Sequence, residues 1–295
     1  MLFRSAGISA VCIVAFLLRE RRAPHPIFNL QIATRRTFWV AAVAGIIVFG
    51  SLMGSLFIGQ QFLQNVLDYG TFQAGLSILP AAVTMALLSP LSARLIPKFG
   101  SRITLMIGFV LLGLGFASMF LWNQSSPYVV VGLTYAVLGA GVAIAAAPAS
   151  RSITDSVPAS ELGMGSATND LQRDLGGAIM QSVMGSLLVV RYSSLITAAF
   201  NTATPQQQSE LSGEAVTMMT RSYTGAEQVA QSLPGNGPGM LLEAAKQAFT
   251  GGSNVAYGFA LLAVIAGLAV VAVLYPNKTN EARILAGYED TPSKA

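Results

Sequence analysis

The chain has 295 residues, of which 53% are hydrophobic and only 10% are charged, and its net charge is +4. Soluble domains carry about 25% charged residues, so this composition excludes an ordinary soluble protein and indicates a membrane protein. The basic residues are dispersed between apolar stretches, which argues against a nucleic-acid-binding protein.

The residue types needed for metal or acyl-transfer chemistry are nearly absent. The chain contains one cysteine, Cys12, and one histidine, His25, which lies in a polar segment. These two residues cannot form an internal disulfide, a zinc site or a Ser-His-Asp triad. No glycine-rich loop ends in Lys-Ser or Lys-Thr, so ATP is not expected as the energy source. We predict no cofactor, no metal and no enzymatic activity.

Apolar stretches follow one another along the chain. Residues 1–18 predict a leading transmembrane helix that is short for a bilayer, and residues 19–36 form a polar linker. Six full membrane-spanning helices are predicted at residues 37–59, 72–93, 103–122, 128–149, 160–191 and 254–275. A polar loop, residues 193–252, separates the last two, and residues 276–295 form a charged, loose tail. The predicted fold class is an all-α membrane protein of about seven transmembrane helices.

Basic residues occur in alternate loops. They lie in the linker, in residues 94–102, at Arg151 and in the tail, whereas the short loops at residues 60–71 and 123–127 have none. The positive-inside rule therefore predicts a cytoplasmic linker and C-terminus, with the N-terminus outside. Trp39 and Trp122 fall at predicted membrane interfaces, where aromatic belts occur.

The fifth span carries three charged residues near one end: Asp170, Arg173 and Asp174. A charge at the centre of a membrane helix costs about 2.5–3.5 kcal/mol and usually faces a bundle interior or a water-filled path. Arg173 can pair with Asp170, three residues earlier. Two hypotheses remain open: a charge network lining a cavity, with a protonatable carboxylate, or a structural ion pair near the cytoplasmic interface.

Amide side chains cluster at the outer end of the first full span, at Gln60, Gln61, Gln64 and Asn65. The three glutamines can share one helix face. We predict that this group makes substrate or gating contacts, and an interfacial cap is the alternative. Small residues at four-residue spacing, such as Gly50 and Gly54, predict close packing of helices in a bundle.

Several segments resemble one transporter family. Residues 59–67 (GQQFLQNVL) and 73–80 (QAGLSILP) resemble the start of the C-terminal half of EmrB/QacA-type drug:proton antiporters, the fourteen-span branch of the major facilitator superfamily. Residues 23–26 (APHP) resemble the linker before that half. Lys98, Gly100 and Arg102 match the second-half copy of the superfamily's cytoplasmic loop motif, although Pro97 stands where the first-half copy has an Asp. The pattern of the family's penultimate helix is matched by Asn169, Arg173, Gly176 and Gly177.

The resemblance implies a six-helix C-terminal transporter half at residues 37–275, built as two inverted repeats, 37–122 and 128–275, without the family's first six spans. It also implies proton-coupled efflux of drugs or amphipathic cations across the cell membrane. The partners would be the lipid bilayer, protons, a drug-like substrate, and a separately encoded N-terminal half or a second copy. The enlarged loop 193–252 would be extracytoplasmic and could cap the outer mouth. The alternatives are an inactive truncated half and a membrane scaffold whose outer loop binds a partner.

Overall fold

The computed structural model describes residues 2–22, 28–204, 208 and 211–289. The linker segment with His25 lies outside these ranges. Every regular element within them is helical, which confirms the all-α fold class. The α-helices are α1 Leu2–Arg22, α2 Leu30–Ala33, α3 Arg36–Asn65, α4 Thr71–Leu76, α5 Leu79–Phe99, α6 Ser101–Met119, α7 Tyr128–Thr154, α8 Leu162–Thr202, α9 Gly213–Arg221, α10 Tyr223–Ala230, α11 Gly237–Leu274 and α12 Lys278–Glu289.

Six helical segments of the described chain are long and apolar enough to cross a membrane. They are α3, α4 together with α5, α6, α7, α8 with the short 3-10 turn before it, and α11. These correspond to the six full spans predicted from the sequence. The leading apolar helix α1 is also formed, and its Ile8, Val11 and Val14 side chains are more than half exposed.

The second predicted span is interrupted. It divides into α4 and α5 at Ser77 and Ile78, just before Pro80 in the first turn of α5. Proline has no N–H to donate into a preceding turn and disfavours helical geometry in the residue before it. The Ser77 hydroxyl donates to the carbonyl of Gln73 at 2.9 Å, which satisfies one carbonyl at the break.

The bundle has two layers. Helices α8, α3, α7 and α5 lie side by side in that order, and α11 and α6 pack behind them. Two pairings are related when the halves of the bundle are exchanged, since α3 packs on α8 as α7 packs on α5, and α11 packs on α3 as α6 packs on α7, whereas α8 packs on α11 far more extensively than α5 packs on α6. The organisation as two three-helix repeats stays a prediction.

Small residues bring α3 and α8 into close contact, as the sequence predicts. A Cβ atom added at Gly176 would lie 2.3 Å from the carbonyl oxygen of Ile46, and one at Gly50 would lie 2.7 Å from the carbonyl oxygen of Gly176. Side chains larger than hydrogen would separate these backbones. Trp122, in contrast, is only 2% exposed and packs against Phe62, so its indole belongs to the core of the bundle, and its predicted place at a membrane interface stays a prediction.

The two helices that enclose the large loop extend into it. Helix α8 has 41 residues and α11 has 38, so that each is close to 60 Å long at the α-helical rise of about 1.5 Å per residue, roughly twice the hydrocarbon thickness. Residues 193–202 and 237–252 are therefore helical rather than irregular. Polar residues lower the hydropathy of both extensions, although one face of each carries buried apolar side chains, including Ile196 and Phe249.

The part of the loop from residue 211 to residue 236 is folded onto these extensions. Helices α9 and α10 pack on each other and on α8 and α11. The Tyr192 hydroxyl donates to the carbonyl of Met219 at 3.1 Å, which ties α9 to α8. Burial raises the pKa of Tyr223 to about 12, and the carboxylates of Asp68 and Glu227 add to the rise. The loop is thus a packed unit at the end of the bundle.

The tail is not loose over its described length. Residues Lys278–Glu289 form α12, which folds back beneath the ends of the spans. Glu281 is 9% exposed and accepts hydrogen bonds from the Tyr275 hydroxyl at 3.0 Å and the Ser101 backbone N–H at 3.3 Å. The sequence shows only a short polar segment here, because the partners that order it lie on other helices.

Candidate functional site

The amide cluster sits where α3 meets α4. Gln60 donates to the carbonyl of Ala74 at 3.0 Å, and Gln64 donates to the side-chain oxygen of Gln60 at 3.2 Å. Gln61 bonds to its own helix, at the carbonyl of Phe57, and Asn65 at the end of α3 is partly exposed. The glutamines thus connect the outer end of α3 to the break in the second span. Gln64 is exposed and free to turn toward a ligand.

The three charged residues of α8 all lie on its exposed side. Asp170, Arg173 and Asp174 are exposed. The ion pairs found in the described residues involve other side chains, so the predicted pair between Arg173 and Asp170 is not formed. Instead, the Arg173 guanidinium lies 5.0 Å from the ring centre of Phe49 on α3. A cation over an aromatic face is stabilised by the ring quadrupole.

That contact fixes the depth of Arg173 in the bundle. Phe49 lies near the middle of the 30-residue α3. Arg173 is therefore level with the centre of a membrane-spanning helix, whereas a side chain that snorkels to the interface is found near a helix end. This position favours the charge-network hypothesis over the interfacial one.

The exposed surface of α8 has two chemically different edges. Leu171, Leu175 and Ile179 are 53%, 39% and 44% exposed. Leu171 and Leu175 border a shallow apolar groove with Trp39. Residues two apart point to nearly opposite sides of a helix, so the leucines and Arg173 face different ways. One edge of α8 suits lipid, and the other suits water, substrate or another protein.

Two polar residues of α8, Asn169 and the buried Gln172, reach α7. The Asn169 amide donates to the Thr154 hydroxyl at 3.3 Å and to the carbonyl of Ser150 at 3.4 Å. Gln172 is 1% exposed and donates to the side-chain oxygen of Asn169 at 2.9 Å. The side-chain oxygen of Gln172 is buried against Gly45 of α3 and has no hydrogen-bond partner among the described residues. Sequence analysis did not select Gln172 or Ser150 as site residues. The spacing of polar and small residues every four positions through Asn169 is the signal that marks this side of α8.

The front of the four-helix layer is open. In the apolar part of the second and fifth spans only 17% and 22% of residues are buried, against 61% for α7 between them. On α7, the partly exposed residues include the small side chains of Ala136, Ala140 and Ala147, although Leu133 nearer the start of the helix is 61% exposed. Small side chains at the centre and larger ones at the sides form a shallow recess. Arg173, which lies over Phe49 of α3, borders this recess.

The loop between α5 and α6 is held by the tail. Gly100 has φ +85°, a value that favours glycine, and an added Cβ would lie 2.9 Å from the Cβ of Lys278. The Arg102 guanidinium donates to the Asn277 side chain and to the carbonyl of Ala272. Lys278 donates in turn to the carbonyl of Lys98 at 3.3 Å. The three predicted loop-motif residues thus lie together where α12 contacts the loop.

A sequence model described as Major Facilitator Superfamily matches residues 3–181, more than half of the chain. The chain belongs to the Major Facilitator Superfamily. Among its relatives, the Multidrug resistance protein Stp of Mycobacterium tuberculosis is 35% identical over 199 residues, which are 67% of this chain and 36% of that protein. The Tetracenomycin C resistance and export protein of Streptomyces glaucescens is 25% identical over 278 residues, 93% of this chain and 51% of that protein.

A third relative of this facilitator, the Drug efflux pump JefA of Mycobacterium tuberculosis, is 26% identical over 193 residues, 63% of this chain and 38% of that protein. The chain therefore spans no more than about half the length of these curated relatives. The family and the names of these relatives indicate transport proteins rather than enzymes. Together with the six apolar helices, family membership makes the chain a multi-pass membrane protein.

Proposed function

We propose that this facilitator chain is the C-terminal half of an efflux transporter that exports drugs or amphipathic cations in exchange for protons. The substrate would occupy the recess in front of α3 and α7, and a second six-helix bundle would close it. The observation that carries the proposal is the charged edge of α8, with Arg173 at mid-depth over Phe49. The names of the relatives support drug export as the substrate class.

Each group has a role in this mechanism. Asp170 or Asp174 would supply the protonatable group that proton coupling needs. Arg173 would complete the charge network with these two carboxylates. The amide group Gln60, Gln61, Gln64 and Asn65 would offer neutral hydrogen bonds near the outer end of the path.

We propose the orientation that the basic loops predict. The ends of α5, α11 and α12 would lie in the cytoplasm, and the packed loop with α9 and α10 would lie outside. Alternating access would then involve rocking of this bundle against its partner around the recess.

The decisive experiment is dye efflux in a host that lacks its own exporters. The chain is expressed alone and together with a complementary six-helix half, and efflux is measured with and without an uncoupler. We expect efflux only from the pair, and we expect the uncoupler to abolish it. Efflux by the chain alone that ignores the uncoupler would refute both the half-transporter and the proton-coupling proposals.

Charge variants test the site within that assay. Asp170→Asn and Asp174→Asn should each reduce uncoupler-sensitive efflux, because each removes a protonatable group from the recess. Asp155→Asn is the matched control, since Asp155 is paired with Arg151 at 3.0 Å beyond the recess. Equal efflux from all three variants would show that the carboxylates of α8 take no part in transport.

The packed outer loop favours one alternative, a membrane scaffold that binds a partner through α9 and α10. It predicts the opposite result. Substitutions on exposed positions of α9 would abolish the phenotype, whereas Asp170→Asn would have no effect. An inactive half-transporter would show no efflux in either combination.

A further inference from the structure

A basic cleft lies at the end of the bundle where α11 finishes, on the side away from the recess. It has a volume of about 400 Å³ and opens between α3, α6, α11 and α12. Three arginines line it, Arg36, Arg102 and Arg283, together with Asn277 and Asn280. The described residues that line the cleft include no Asp or Glu.

The arginine charges in the cleft are not neutralised by carboxylates. Arg36 donates to the carbonyl of Leu274 and, at 3.3 Å, to that of Val273, while Arg102 donates to Asn277 and to the carbonyl of Ala272. All of these acceptors are neutral. The carbonyls at the end of α11 hold the guanidinium groups of Arg36 and Arg102 in position, and they offset only part of the positive charge.

The carboxylate of Glu281 on α12 points away from the cleft. Glu281 is buried and accepts from Ser101 and Tyr275. Arg283 follows two residues later, which places it on nearly the opposite side of the helix, where it is exposed. The tail helix thus presents Arg283 to the cleft and Glu281 to the protein.

The cleft also adjoins the surface that suits lipid. Val273 lines it and is 73% exposed. On the same outward side of α11, Leu262 is 67% and Ile265 is 51% exposed. Because α11 lies in the layer behind the recess, this apolar stripe has no helix of the bundle in front of it. An amphiphile could therefore place acyl chains along α11 and its headgroup among the arginines.

We propose that this cleft binds the phosphate of an anionic phospholipid. Arginine donates two parallel hydrogen bonds to phosphate oxygens, and the three guanidinium groups surround a space of the right size for one headgroup. Basic pockets at the ends of membrane helices are suited to such headgroups. The proposal concerns the bundle itself and does not depend on transport or on its direction.

The experiment uses the full chain purified in a neutral detergent and titrated with phosphatidylglycerol or phosphatidylcholine. The readouts are the thermal unfolding midpoint and the number of lipids retained in native mass spectrometry. Phosphatidylglycerol should raise the unfolding midpoint and remain bound to the protein. Phosphatidylcholine should raise the midpoint less, and fewer molecules should be retained. Arg283→Gln should require about fivefold more phosphatidylglycerol for the same effect.

Arg94→Gln is the matched control, because Arg94 is also exposed near the same end of the bundle but lies outside the cleft. It should titrate like the unmodified chain. Equal weakening in both variants would indicate diffuse surface attraction and overturn the proposal. Inorganic phosphate added with phosphatidylcholine provides the last comparison. If it protects as well as phosphatidylglycerol, the cleft is a site for free anions and the lipid assignment is wrong.

Discussion

Replacement of Gly176 by alanine tests the closest contact in the bundle. The new Cβ would lie 2.3 Å from the carbonyl oxygen of Ile46 and 3.0 Å from the backbone nitrogen of Gly50. Both are backbone atoms of α3 and cannot rotate aside. Helix α8 would have to move away by about 1 Å to regain normal contact distances. Overpacking of this kind costs about 1–3 kcal/mol, partly offset by a gain of up to about 1 kcal/mol in helix propensity.

Gly163→Ala is the control on the same helix, since a Cβ there would have nothing within 4 Å. It gains propensity without the clash, so the difference between the two variants isolates the packing cost of about 1–3 kcal/mol. The assay is thermal unfolding in detergent, followed by the fluorescence of buried Trp122. A domain of this size shifts by about 2–4 °C per kcal/mol. Equal midpoints for Gly176→Ala and Gly163→Ala would refute the close approach of α3 and α8.

Two further substitutions test how the ends of the bundle are tied together. Glu281→Ala should lower the unfolding midpoint by the equivalent of about 1–3 kcal/mol, because the Ser101 N–H loses a charged acceptor at the start of α6, whereas exposed Thr279→Ala should change little. Tyr192→Phe removes the hydrogen bond to Met219 and should cost about 0.5–1.5 kcal/mol. Faster proteolysis between α9 and α10 with an unchanged midpoint would show that the loop opens separately from the bundle.

The spans themselves were predictable, because length and hydropathy are local properties of the sequence. Their ends were less so. Pro80 divides the second span in two, and α11 begins at Gly237, well before its apolar part. Helix α11 extends to Gly237 because Phe249 and its neighbours contact α8 and α10. Such contacts between distant helices are not visible in the hydropathy of the segment.

The candidate site was predicted in composition but not in arrangement. The sequence indicated that the charges of α8 share a region, and a three-residue spacing suggested that Arg173 pairs with Asp170. Spacing along one helix says nothing of the neighbouring helix, and Phe49 of α3 provides the partner. The order imposed on α12 by Glu281 was equally invisible, since Ser101 is 180 residues away in sequence.

The energetics of α8 argue that its charged edge meets something other than lipid. Arg173 at mid-depth would cost about 2.5–3.5 kcal/mol if it faced the centre of a bilayer, against a total stability of about 5–15 kcal/mol for a typical protein. The contact of Arg173 with Phe49 recovers about 0.5–2 kcal/mol of this. Rotation of α8 about its axis would not avoid this free-energy cost, because Leu171 and Leu175 would then no longer face lipid. A water-filled recess closed by a second bundle removes the penalty while keeping both edges in place, so the stability of this chain in a bilayer should itself depend on what covers the recess.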